Sequence, residues 1–229
     1  MNRRLSFRSF RSYLAAGFGV VALLIGGCAT NPPPKKDLTA FQAAKPASIL
    51  ILPPVNESPD VLALPGVLSQ LALPLAESGY YVPSVALVEE TLKANGVQTP
   101  AEAHAIEPSK LREIFGTDAV LYTTVKRYGS TYRLLSSDAV VELRAQIRDL
   151  RNNELLWEGR ATASSAEQQG QTQGGLAGLL IRAVVDQIVG TLTDRSHPVA
   201  GIASLRMLKT GFPEGVPPGP RARAMPSPR

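Results

Sequence analysis

The strictest pattern in the chain runs from 141 to 148. Val141, Leu143, Ala145 and Ile147 are apolar, and Glu142, Arg144, Gln146 and Arg148 between them are polar. Successive side chains of a strand point to opposite faces, so this run is a strand with one buried face and one wet face. Such a strand constrains the plan around it, because its apolar face has to be covered by another layer of the fold. Flanking runs supply its neighbours. Asp118 to Tyr128 is β-rich, and Gly129-Ser130 reads as a hairpin turn into a long strand from Thr131 to Leu150. Asp149 to Glu154 turns the chain again, and Leu155 to Ala163 returns.

Upstream the pattern changes to alternating strands and helices. Ser48 to Pro53 is a short apolar run closed by Pro53-Pro54, which predicts a buried strand and a loop. Apolar residues at 64, 67, 68, 71 and 75 have helical spacing; Pro74 should kink or shorten that helix, and Gly79 should end it. Tyr80 to Pro83 reads as a second, short or edge strand. Ser84 can cap a helix through Ala94, Thr99-Pro100-Ala101-Glu102 is a capping box with proline at the first helical position, and Pro108 to Phe115 is a further helix closed by Gly116. Downstream, residues 170–175 read as a hinge, and apolar positions 177, 180, 181, 184, 185, 188 and 192 predict a final helix with an Arg182–Asp186 pair on its polar side. The expected fold is α/β (α+β): a single mixed β-sheet with helices packed on one face, in the order β-α-β-α-α-β-β-β-α.

The first residues carry a different message. Arg3, Arg4, Arg8 and Arg11 precede twelve apolar residues, Leu14 to Ile25. As a helix these reach about 18 Å, short of a bilayer core of about 30 Å, so they suit a signal peptide rather than a membrane span. Ile25-Gly26-Gly27-Cys28 then resembles the lipobox of bacterial lipoproteins, with cleavage between Gly27 and Cys28 and lipid on the cysteine. Cys28 is the single cysteine of the chain, so no internal disulfide is available and stability must come from burial. Asn31-Pro32-Pro33-Pro34-Lys35-Lys36-Asp37 predicts an extended tether, and six prolines in the last nineteen residues predict a disordered tail. The boundaries are therefore 1–27 signal peptide, 28–46 lipidated cysteine and tether, 47–195 α/β domain, and 196–229 tail.

Removing the signal also removes four arginines, which leaves 20 basic against 19 acidic residues. A nucleic-acid partner, which needs a basic face, loses its support. Enzyme chemistry finds no footing either. His104 and His197 have no ligand-type residue at metal spacing, no serine lies in Gly-x-Ser-x-Gly, and residues 170–175 lack the lysine of a phosphate loop. Glu77, Glu89 and Glu90 read as solvated helix positions. No cofactor or metal is expected. Tyr122 and Trp157 read as core aromatics, and Tyr128 and Tyr132, flanking the expected hairpin turn, as candidate partner contacts.

Three stretches carry a resemblance: Ile49 to Ser58; Leu75 to Glu90; and Leu111 to Tyr122 with the 128–132 hairpin and Leu155 to Gly159. Together they resemble a family of bacterial lipoproteins of unknown function that includes a proposed surface vaccine antigen. The resemblance runs from the lipobox to about residue 193 and leaves out the proline-rich tail. The plan is also similar to the amino-terminal domain of TolB, the periplasmic domain of CsgG and a lipoprotein activator of peptidoglycan synthases. It implies a non-enzymatic protein of the cell envelope that works by contact. The expected location is the periplasmic side of the outer membrane, consistent with Ala29 after the cysteine. The expected partners are the membrane, through Cys28, and other envelope lipoproteins such as a CsgG-like one, in a secretion- or transport-associated assembly; a homo-oligomer is allowed. The alternative is a regulator of a periplasmic cell-wall synthase.

Overall fold

The computed structural model describes residues 36–133, 136–167 and 196–222. Its strands form one open mixed sheet: β1 (Ile49–Ile51), β2 (Val55–Asn56), β3 (Ala119–Arg127), β4 (Ser130–Arg133), β5 (Ser136–Asp149) and β6 (Leu155–Ser164). β1 and β2 lie end to end, both parallel to β3, with the Pro53-Pro54 interruption between them. β3 and β4 lie one after the other, antiparallel to one side of β5, and β6 is antiparallel to its other side.

The register puts Leu121 beside Ile147, Thr123 beside Ala145 and Val125 beside Leu143, so the apolar positions of neighbouring strands share a face. Ile49, Ile51, Val141, Trp157 and Ala163 join them in the main core. Over this face pack α1 (Thr39–Ala44), α2 (Ala63–Glu77) and, after β6, α6 (Ser196–Leu208), with α2 and α6 also in mutual contact. A second cluster lies where β1 and β3 turn Leu50, Leu52 and Val120 the other way. There α3 (Val85–Ala94), α4 (Pro100–His104) and α5 (Pro108–Phe115) contribute Val88, Leu92, Ala103 and Leu111. The β1–β3 half of the sheet is thus sandwiched. On β5 the second face alternates as the sequence requires, with Arg144 exposed and Glu142, Gln146 and Arg148 partly exposed.

Local chemistry explains the helix limits. α2 carries Val67, Leu68, Leu71 and Leu75 inward, and it continues one turn beyond its expected kink because Pro74 falls near the end. The Pro74 carbonyl accepts both the backbone N–H and the hydroxyl of Ser78, at 3.1 and 2.7 Å. Gly79, at φ +92°, then reverses the chain. Ser84 occupies the cap position of α3 without a side-chain hydrogen bond. The capping box of α4 is formed in both directions: Thr99 Oγ1 accepts from Glu102 N, and Glu102 Oε2 accepts from Thr99 N. α5 ends on Gly116 in the left-handed conformation.

Five sequence expectations change. The tether through residue 46 is shorter, because the folded unit begins at Asp37 and α1 buries Phe41, whose ring meets Tyr80 edge-on at 6.4 Å. The strand at 80–83 reduces to a single bridge between Tyr81 and Ser48, since Pro83 cannot extend the ladder. Gly129-Ser130 is not the hairpin turn. Pairing continues through Ser130–Ala139 to Arg133–Ser136, and Gly129, at φ +117°, marks only the break between β3 and β4. The tail from residue 196 is not disordered over its described part: residues 196–208 form α6, with Val199, Ile202, Ala203 and Met207 buried. Its small residues, Ala200, Gly201 and Ser204, are buried with them; at Gly201 an added Cβ would sit 3.0 Å from Gln70 Oε1 of α2. Finally, residues 215–222 form a strap over the end of α2. Val216 is buried, Tyr80 Oη donates to Pro217 O at 2.6 Å, and Gly219 N and Arg221 N donate to Ser78 O and Gly79 O. The expected hinge at 170–175 and helix over 177–192 lie outside the described residues.

Candidate anchor and contact surfaces

Cys28 and Gly27, the expected lipid acceptor and cleavage site, lie outside the described residues. From Asp37 onward the chain is pinned to the fold by a series of polar contacts. Asp37 Oδ1 accepts the backbone N–H of Thr39 at the start of α1; the Thr39 side chain first, and this backbone bond second, hold its carboxyl below the usual range. After α1, Asp118 at the head of β3 gathers the incoming chain by accepting from Ala47 N, Ser48 N and Ser48 Oγ at 2.8–3.0 Å. Arg151, in the turn after β5, donates to Ala44 O and grips Asp149. That grip, with the backbone N–H of Arg151, keeps the Asp149 carboxyl below its ordinary range although its side chain is almost fully buried.

The two expected tyrosine contacts fare differently. Tyr128 is only 5% exposed and belongs to the main core. Its hydroxyl lies where a Cβ on Gly66 would sit 2.3 Å away, so Gly66 makes room for the ring. It is therefore a packing residue and not a partner contact, because the hairpin turn it was expected to flank lies further along. Tyr132 is in β4 opposite Ser137; its side chain lies outside what the structure describes. Trp157 is buried in the main core, and Tyr122 is half-buried against the second cluster.

The histidines are tied to neutral partners. His104 Nε2 lies 3.0 Å from Pro53 O, and a carbonyl can only accept, so this nitrogen carries the proton. The ring stands edge-on to Tyr122 at 5.1 Å, and burial pushes its pKa below the ordinary value against the opposing effect of the carbonyl. His197 Nε2 lies 2.8 Å from Gln70 Nε2. Among the described residues no three or more His, Cys, Asp or Glu side chains group in a way that could hold a metal ion. Glu77 pairs with Lys209 at 2.7 Å. Glu89 and Lys93 stand with Leu92 and Pro53 around an open groove of about 250 Å³ between α3 and α4.

The second face of β5 and β6, continued by the Thr124 end of β3, is an open polar surface among the described residues. In one row across it Thr124 is opposite Arg144, and Arg144 is opposite Arg160. In the adjoining rows Tyr122, Gln146 and Glu158 align, and Glu142 is opposite Thr162. The sequence revealed that Arg144 faces water; it could not reveal that Arg160 would be its neighbour, because the bulge between Ile147 and Arg148 sets that register.

A family model described as "Putative lipoprotein GNA1162-like" matches residues 36–221, which includes the C-terminal strap that the sequence resemblance had left out. A lipoprotein of Neisseria meningitidis serogroup B, NMB1124/NMB1162, is 46% identical over 204 residues, 89% of this chain and 94% of the relative. The crystal structure of lipoprotein GNA1162 from Neisseria meningitidis is 48% identical and covers 64% of this chain and all of its own, with a TM-score of 0.52.

Proposed function

The chain belongs to the GNA1162-like lipoprotein family, and on that footing we propose that it is anchored to the outer membrane through lipid on Cys28 and acts there, on the periplasmic side, as a non-enzymatic protein-binding component of an envelope assembly. The observation that carries the reading is Ile25-Gly26-Gly27-Cys28, which places the lone cysteine of a lipoprotein-family chain nine residues ahead of the folded unit. Nine residues span at most about 32 Å even when fully extended, so the domain works within reach of the bilayer surface. Alanine at position 29 fits transfer to the outer membrane.

Contact rather than chemistry is supported by how the reactive side chains are used. Burial lowers the pKa of His104 and favours its neutral form, while its Nε2 is occupied by the Pro53 carbonyl. Asp149 is neutralised by Arg151, and Asp118 spends its acceptors on backbone N–H groups. The partners proposed are neighbouring envelope lipoproteins, among them a CsgG-like one, in a secretion- or transport-associated complex. Crosslinked co-purification of the lipidated protein from its native envelope tests this. Recovery of other lipoproteins in fixed ratio is expected. Recovery of a cell-wall synthase alone, or of lipid without protein, would overturn it.

A further inference from the structure

Arg144 and Arg160 face each other across β5 and β6 on the open side of the sheet, and both are exposed. Directly opposed side chains have Cβ atoms about 5 Å apart, and like charges at that spacing repel. Three other basic residues nearby have found partners: Lys126 pairs with Glu57, Arg148 donates to Asn153 O, and Arg206 bonds Glu167 and Thr162 O, while Arg127 stands opposite Glu142. Among the described residues the side chains of Arg144 and Arg160 form no hydrogen bond or ion pair. Two guanidiniums side by side, each a planar fork of donors, match a carboxylate lying between them.

We propose that this face is a docking site for an acidic segment of a partner protein, with an Asp or Glu carboxylate clasped between Arg144 and Arg160. The proposal rests on reading the chain as a contact protein of the envelope. Charge complementarity selects the occupant. Glu158 precedes Arg160 on the same face of β6, and Glu142 precedes Arg144 on that of β5, each about 7 Å along its strand. A continuous array of phosphates, as on an anionic membrane or a nucleic acid, would meet these two acids. A protein segment can present one carboxylate to the arginine pair and neutral groups to the rest of the face. Thr124 and Thr162 offer hydroxyls beside the pair, which suits a polar backbone laid across the sheet.

The test uses the full-length lipidated protein in living cells, with the photocrosslinking residue p-benzoylphenylalanine at Thr162 on this face or at Val61, which is exposed in the loop before α2. The expected result is a protein adduct at position 162 whose crosslinked peptide contains Asp or Glu. Arg160→Glu should reduce it about tenfold or more, the fold-change that accompanies a loss of about 1.4 kcal/mol, whereas Arg160→Lys, which keeps the charge but loses the planar fork, should reduce it less. Arg160→Glu also relieves the cross-strand repulsion, so the same variant should melt no lower than the parent, which separates lost docking from lost folding. A lipid adduct at 162, an adduct indifferent to Arg160→Glu, or no protein adduct there overturns the proposal. If Val61 captures protein while Thr162 does not, the protein-binding role stands and this face is not its site. If neither captures protein, both fall.

Discussion

Gly79→Ala perturbs the fold at the point where the C-terminal strap meets the body, and its cost separates into two parts. Gly79 has φ +92°, a conformation that costs an L-residue about 1–2 kcal/mol. A Cβ there would also lie 2.1 Å from Ala222 N and 2.6 Å from Ala222 Cα, backbone atoms that cannot swing aside as a side-chain tip could. The strap must then lift, with loss of the Gly219–Ser78 and Arg221–Gly79 hydrogen bonds. At about 1 kcal/mol each these contribute about 2 kcal/mol, partly offset by the freedom the released residues regain. The full chain should therefore lose about 2–4 kcal/mol. A chain ending at Pro218 keeps the left-handed glycine but lacks the Arg221 and Ala222 backbone atoms that the Cβ would strike, so there the same substitution should cost about 1–2 kcal/mol. Urea unfolding monitored by circular dichroism measures both, as a shift of midpoint at unchanged slope. Equal costs in the two backgrounds would show that residues 219–222 do not pack as described.

Three further outcomes rest on the same geometry. Phe41→Ala should destabilise by about 3–5 kcal/mol in a thermal or urea melt, because the ring is buried against Tyr80; a change below about 0.5 kcal/mol would return this segment to the status of a tether. His104 is held neutral, with its folded pKa below the unfolded value near 6.5. Its contribution to stability is therefore complete above that value and is lost as pH falls through the lower folded one, so the slope of melting temperature against pH just below 6.5 should flatten in His104→Gln and would not if the histidine were solvated. Arg160→Glu should raise stability by about 0.2–1 kcal/mol by turning a like-charge cross-strand pair into an attractive one, and a loss of stability would contradict the register of β5 and β6.

The parts of this fold legible in the sequence are those in which a local signal and the tertiary environment agree. The alternation at 141–148, the helical spacing from Leu64 to Leu75 and the Thr99–Glu102 capping box each name an element, and each element is there. The missed parts draw their stability from distant partners. α1 has only six residues and no side-chain cap; what holds it is Phe41 against Tyr80, nearly forty residues away. α6 contains Pro198, Gly201 and two serines, which read as breakers, yet proline is tolerated in a first turn and the small residues pack inside the fold. The prolines around 217–220 exclude helix and sheet but not an extended strap whose few N–H groups find carbonyls on Ser78 and Gly79. On the contact surfaces the limit is the same. A single sequence shows that Arg144 is wet, and only the pairing of β5 with β6 shows that its neighbour is another arginine.

The central claim is a domain tethered by lipid on Cys28, and intact mass spectrometry of the protein extracted from its native membrane tests it most directly. The expected species begins at Cys28 and runs heavier than its sequence by a diacylglyceryl group and an amide-linked acyl chain, both absent from Cys28→Ala. A chain that begins elsewhere, or one that begins at Cys28 with no added mass, would contradict it.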